Sequence, residues 1–230
     1  MTQATSKGTV TSTKPGHGER QRDKDRTRAE ILRIAADEFA RQGYTGARVD
    51  EIAARTSTTK RMIYYYFGGK EQLYVAVLEQ AYSQIRDAEL AIDVERLEPV
   101  AAIRRLAELT FDHHDAHPDF IRLVSIENTH EAVHLATLPT LHELRAPTIE
   151  MISRILDAGR AEGVFTAPAD ALDVHMLISS FCVFRIANRY TFRALFGRDL
   201  TDQAQRAAQR QMLGDLVVAY LTSGTANAAI

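Results

Sequence analysis

"TSTTKRMIYYYFGGKEQL", residues 56–73, sets three tyrosines and a phenylalanine in a row beside a Lys-Arg pair. Its meaning turns on which side chains face inward. Place Thr59 at the origin of a helical wheel and advance about 100° per residue. Ile63, Tyr66 and Phe67 then fall on one side, and Lys60, Arg61, Tyr64 and Tyr65 on the other. The aromatic run therefore splits. Ile63, Phe67 and Tyr66 pack inward, while the remaining four project outward. A hydroxyl from Thr58 or Thr59 can cap the helix by accepting from a first-turn N–H.

The residues upstream complete the unit. A first helix over about Thr27–Gln42 carries an apolar stripe of Ile31, Ala35 and Phe39, and Gly43 stands where a terminating residue of positive φ belongs. A second, short helix over about Val49–Arg55 buries Val49, Ile52 and Ala53. Two short helices joined by a connection as tight as "TSTTK" read as helix-turn-helix. The outward Lys, Arg and Tyr side chains suit DNA, because cations meet phosphates or guanine edges and a tyrosine offers both a hydroxyl and a ring. The bland alternative is a solvated face with half-buried tyrosines. Charge bears on the choice: residues 1–70 carry 14 Lys and Arg against 8 Asp and Glu, a balance of +6, and the remainder carries 14 against 22, a balance of −8. The net −2 thus conceals a basic end on an acidic body, which confines any polyanion contact to one end.

At this length of matching pattern a family becomes legible. "RAEILRIAADEFARQGYTGARVDEIAARTSTTKRMIYYYFGGKEQLYVAVLE", Arg28 to Glu79, resembles the N-terminal domain of the tetracycline-repressor (TetR) family of bacterial regulators. Phe39, Gly43-Tyr44, Val49, Ile52-Ala53, Tyr64, Tyr66-Phe67 and Lys70-Glu71 carry the likeness. The resemblance implies an all-α homodimer, in which a three-helix head that binds DNA is joined by a long fourth helix to a larger ligand-binding body. Carried over by position, the reading helix is Thr59 to Tyr65, with Tyr64 and Lys70 on phosphates. The expected DNA-contacting set is Arg48, Thr59, Lys60, Arg61, Met62, Tyr64, Tyr65 and Lys70. Four departures stand out. Ser57 replaces the usual turn glycine, Thr58 an apolar residue, Arg61 and Met62 small residues, and Ala47 a capping threonine. Arg61 and Met62 sit where base contact is expected, so the operator cannot be borrowed from a relative.

The rest of the 230 residues read as helices interrupted by Gly and Pro, with no alternating strand. Expected are helices over about Lys70–Ile92, with the stripe Leu73, Val77, Ala81 and Ile85; from Pro99, with Ile103, Leu106 and Phe111; and from Pro118, with Phe120, Leu123 and Val124. A helix over about Leu141–Glu162 should kink or break near Glu143, because Pro147 removes that carbonyl's helical donor. The last two helices run over about Ala169–Phe196 and Thr201–Thr222. "LDVHMLISSFCVFRIAN" is apolar nearly all round, which fits a helix covered by its own body and by a second copy, or one simply buried in a monomer.

The domain plan is a disordered basic tail over 1–24, a helix-turn-helix domain over 25–71, and an effector-binding and dimerisation domain over 72–224. For the effector, Arg122, Glu127, Asn128, Arg185 and Asn188 are polar residues in apolar helical surroundings. Arg185 and Asn188 share a helical face and could hold a small carboxylate or hydroxylated ring. The same residues also read as an internal ion pair, such as Arg185 with Glu127, or as contacts across a dimer.

The histidines of "HHDAH" (113, 114, 117) and "HEAVH" (130, 134) lack a completing ligand, so no metal is expected. No catalytic motif emerges, and Cys182, the single cysteine, lies in an apolar run as inert packing. With no apolar run of membrane length and no signal peptide, the chain reads as cytoplasmic. The whole reads as a ligand-responsive transcriptional repressor without a cofactor. Its partners are a double-stranded DNA operator with inverted repeats, a small-molecule effector and a second copy. The rival reading is an effector-binding or interaction protein whose helix-turn-helix no longer serves DNA.

Overall fold

The computed structural model describes residues 17–93 and 96–224, and among these the elements are helical. The head comprises α1 (His17–Gly46), α2 (Val49–Ala54) and α3 (Lys60–Phe67). The body comprises α4 (Lys70–Leu90), α5 (Pro99–Ala116), α6 (Pro118–Thr129), a 3₁₀ turn (Leu135–Thr137), α7 (Leu141–Ala161), α8 (Ala171–Ala187), α9 (Arg189–Phe196) and α10 (Gln203–Thr222).

Local chemistry sets most of these ends. Pro99 and Pro118 open α5 and α6 at first-turn positions, where a missing N–H costs nothing. Asp170 accepts from Asp173 N at 2.8 Å to cap α8, and Asp202 accepts from Ala204 N at 2.9 Å to cap α10. Gly43 interrupts α1 with φ 71° and ψ 171°, a backbone that an L side chain resists.

Three sequence expectations need correcting. First, α1 begins at His17, so residues 17–24 continue that helix rather than belonging to a tail; a Gln21–Asp25 hydrogen bond at 3.0 Å and an Arg26–Asp23 ion pair at 3.1 Å lace its exposed turns. Residues 1–16 lie outside the described residues. Second, α7 runs through Pro147 with no break near Glu143. The carbonyl that Pro147 leaves without a helical donor is met instead by Arg86 Nη1 of α4, at 3.4 Å. Third, the predicted helix over Ala169–Phe196 is two helices, α8 and α9, bent by 67° at Asn188. No single helix among the described residues is long and apolar enough to cross a membrane.

Two apolar cores result. One joins α1, α2 and α3 to the first half of α4, and it also takes in Leu123 of α6 and Leu138 beyond the 3₁₀ turn. The other lies among α5, α7, α8 and α10, around Ile103, Phe111, Ile152, Ile178 and Leu213. α4 passes from the first core toward the second, with Leu73, Tyr74, Val77 and Leu78 fully buried at its start.

Candidate nucleic-acid interface and body cavity

The short α3 is fixed from both ends. Thr59 caps it by accepting from Met62 N at 3.3 Å, and Ile63 and Phe67 anchor its inner side. The turn before it is held by a clasp absent from any local pattern. Glu30 of α1 accepts from both Ser57 N at 3.0 Å and Ser57 Oγ at 2.7 Å. These two bonds draw the Glu30 carboxyl below its ordinary pKa. The second of them, from the hydroxyl, gives serine a role where the family pattern has glycine.

With its inner side occupied, α3 turns Lys60, Arg61, Tyr64 and Tyr65 to solvent, Tyr65 at 69% exposure. Arg48, the N-cap position of α2, is exposed as well and makes no side-chain capping bond, so its guanidinium is free of the helix end. Met62 is half-buried. Lys60 Nζ pairs with Asp50 at 2.9 Å, a bond that raises its pKa and engages the ammonium with a neighbouring carboxylate. Lys70 is less free. Its ammonium donates to Thr45 O at 3.2 Å and lies 5.0 Å from the Tyr44 ring centroid, and burial lowers its pKa.

The body holds a cavity of about 340 Å³, walled by α4, α5, α6, α7 and α8. Its apolar lining includes Ile85, Phe120, Val124, Ile149 and Val183, with Tyr82 edge-on to Phe120 at 5.2 Å. Its polar side includes Glu89, Thr110, His114, Thr148, His175 and Ser179, with Arg86 and the Tyr82 hydroxyl also in the wall. The first four are each at least 94% buried. Thr148 Oγ1 donates to Glu89 Oε2 at 2.6 Å, and His114 Nδ1 lies 2.8 Å from Thr110 O. Burial raises the Glu89 carboxyl pKa and lowers that of His114 to about 4, so this imidazole is neutral.

Two sets of family features cover this arrangement. "Bacterial regulatory proteins, tetR family" matches residues 31–77, and "Tetracyclin repressor-like, C-terminal domain" matches residues 99–217. The chain belongs to the TetR family. The HTH-type transcriptional repressor NicS of Pseudomonas putida is 32% identical over 201 residues, spanning 87% of this chain and 95% of that protein. The HTH-type transcriptional repressor SCO4008 of Streptomyces coelicolor is 31% identical, spanning 82% and 96%. In fold, a tetR-family regulatory protein of Rhodococcus RHA1 superposes with a TM-score of 0.66 at 20% identity, covering 87% of this chain and 98% of that one.

In this TetR-family chain the five polar residues read from the sequence as an effector group do not meet. None of them lines this cavity. Arg185 forms an ion pair with Asp115 at 2.6 Å, donates from Nε to Gln209 at 2.6 Å, and lies 4.4 Å from the centroid of the Phe111 ring. Its partner is therefore Asp115 and not Glu127. Glu127 instead accepts from Leu135 N at 2.9 Å and lies 3.1 Å from His134 Nδ1, pinning the segment after α6. Asn128 is exposed and donates to Val124 O at 2.9 Å, and Asn188 forms the α8–α9 junction. Arg122 pairs with Asp119 at 3.3 Å in a separate, open cleft. "HEAVH" is not helical either: α6 ends at Thr129, and Glu131 and Ala132 both adopt φ 56°.

A signal for the cavity residues of α4 and α5 was present in the periodicity. The α4 stripe Leu73, Val77, Ala81, Ile85 continues in steps of four to Glu89. The α5 stripe from Leu106 continues to Thr110 and His114. A charged or polar residue on an otherwise apolar helical stripe marks a wall that is not simply core.

Proposed function

We propose that this TetR-family protein is a homodimeric transcriptional repressor that leaves its operator when a small molecule fills the body cavity. The observation that carries it is α3, a capped and doubly anchored helix that spends its outer side on Lys60, Arg61, Tyr64 and Tyr65. Arg48 and Met62 border that surface, Thr59 sets its start, and Lys70 is the peripheral contact. Residues 25–71 are the DNA-reading unit and 72–224 the effector-binding and dimerising body. That NicS and SCO4008 are named repressors supports the sign of regulation. The function is regulatory and not enzymatic, and the setting is the cytoplasm. The one cysteine, Cys182, has its thiol pushed up to about 12 by burial, so it offers no thiolate near neutral pH.

Dimerisation is supported by an apolar face left open on one subunit. Leu172, Met176 and Phe184 of α8 and Met212, Leu216 and Tyr220 of α10 are between 41% and 63% exposed. A two-fold axis across that face presents two reading helices to half-sites in inverted repeat, about one or more DNA turns apart.

The test is a mobility shift with DNA from beside the protein's own gene, across a salt series. Affinity should fall linearly in log-log form as bound cations are displaced. Arg61→Ala should change which operator sequences are preferred, with a cost of about 1–3 kcal/mol on the best one. Binding that ignores sequence in the unmodified protein defeats the repressor reading in favour of a body that has lost its DNA role.

A further inference from the structure

Beyond residue 70 the chain carries a charge balance of −8, yet one cleft against the body has only cations among its charged lining. It measures about 540 Å³ and lies where the end of α1 meets α6 and the α8–α9 junction. Arg41 of α1, Arg122 of α6 and Arg189 of α9 line it, and among the described residues no carboxylate does. Two acids reach in from outside the lining. Asp119 lies 3.3 Å from Arg122, and Asp37, 3.5 Å from Arg41, is shared with Arg55. Arg189 meets neutral oxygens instead, donating to Ile186 O at 3.1 Å and to the Tyr190 hydroxyl at 2.9 Å. Asp199 acts on it only at longer range, while accepting from Thr201 N and Oγ1. Arg122 Nη2 approaches that same Tyr190 oxygen at 3.5 Å. Two guanidinium groups from different helices thus converge on one uncharged oxygen. The hydrogen bond from Arg189 draws this phenol below its ordinary pKa, so the spot favours negative charge.

We propose that this cleft binds a small polyanion, a phosphate-bearing or multiply carboxylated compound held between Arg122 and Arg189 with its far end toward Arg41. Like charges held this close repel until an anion lies between them, and guanidinium forks match adjacent anionic oxygens. Ile121 and Ile186, both buried, give the cleft an apolar floor for the carbon part of such a compound. The volume is within the range of small-ligand sites. A bound anion would tie the end of α1 to α6 and α9. The cleft shares no lining residue with the body cavity, so the inference stands apart from the reading of that cavity as the effector site.

Inorganic pyrophosphate and citrate are the probes, titrated calorimetrically into the full-length protein without DNA, at an ionic strength held constant with chloride. At least one should bind at millimolar concentration or below, and which one binds tells a phosphate source from a carboxylate source. Arg189→Gln should weaken it at least about tenfold, as the loss of a charged hydrogen-bond donor implies. Arg122→Gln, on another helix, should do the same and carries the test if Arg189→Gln fails to fold. Arg193→Gln, at an exposed position of α9 outside the cleft, should leave the affinity within about twofold, since only a diffuse charge is removed. Binding of neither probe overturns the proposal, as does a loss with Arg193→Gln equal to that with Arg189→Gln. So does an affinity lost with Arg61→Ala and kept by Arg189→Gln, which would put the anion on α3.

Discussion

His113 is 92% buried, and neither of its ring nitrogens has a hydrogen-bond partner among the described residues. It stacks on His117 with ring centroids 4.3 Å apart. Burial, reinforced by the neighbouring His117 and His114, lowers its pKa to about 4, and His114 is lowered to about 4 chiefly by burial. Unfolded, both rings take a proton near pH 6.5; folded, only near pH 4. Between those values the unfolded chain binds more protons, so stability falls as pH is lowered through that window. The loss has an upper bound of about 3 kcal/mol per ring. His113→Phe removes two unpaired nitrogens and one titration, while keeping an aromatic ring beside Phe120. The expected result is a higher Tm at pH 7 and a shallower decline between pH 6.5 and 4.5, with His114's share remaining. A variant that melts lower at pH 7 with an unchanged slope would show that His113 has a partner in solution. At this scale the sequence was readable where one helix decides the outcome. Ile63 against Tyr64 is a question of angle alone, whereas Ser57 made sense only once Glu30, 27 residues away, was seen to grip it.

Between elements, the clearest case is Pro147. Its rule is local and correct in isolation: the residue four back loses its donor. Arg86 supplies one from 57 positions upstream, and that distance hides it from any reading of local pattern. Arg86→Met should keep the stem and strip the donor, handing the exposed Glu143 carbonyl to water at a cost of about 0.5–1 kcal/mol. Hydrogen exchange should then quicken in the first two turns of α7 and not in α8. Uniform quickening would point to a general loss of packing. The cavity was legible only in part, for a related reason: the α4 and α5 stripes flag polar positions, but what those positions face lies on other helices. Glu89, Thr110, Thr148 and His175 come from four helices, and each alone resembles an ordinary polar residue satisfied in a core. The split at Asn188 was missed because apolar composition continues across it, through Phe192 and Phe196, and only the backbone turns.

For the whole molecule the architecture followed from helical periodicity and from the head's family pattern, while the proposed dimer rests on an apolar face whose α8 half the sequence suggested and whose α10 half only three dimensions reveal. Met176 of α8 is 63% exposed and Leu216 of α10 is 47% exposed. Met176→Glu with Leu216→Glu should yield a monomer by light scattering, with the helical content retained and operator affinity lost, since one reading helix holds half a site. A dimer that survives both charges would place the contact elsewhere. The effector and DNA share one equilibrium, so a ligand that weakens operator binding about 5–150-fold must itself be weakened by the operator to the same degree.

The head's core does not end with the head. Phe39 of α1 meets Tyr74 of α4 edge-on at 4.8 Å, and the His134 ring lies 4.3 Å from Tyr44 and 5.0 Å from Tyr74. Leu123 and Leu138 are buried in that same cluster. A chimera grafting a foreign reading head onto this body would therefore sever a jigsaw at its middle if the seam were cut at residue 71. A graft that carries α4 as far as Leu78, and matches Leu123, His134 and Leu138 beneath it, transplants a new address without exposing the underside on which it stands.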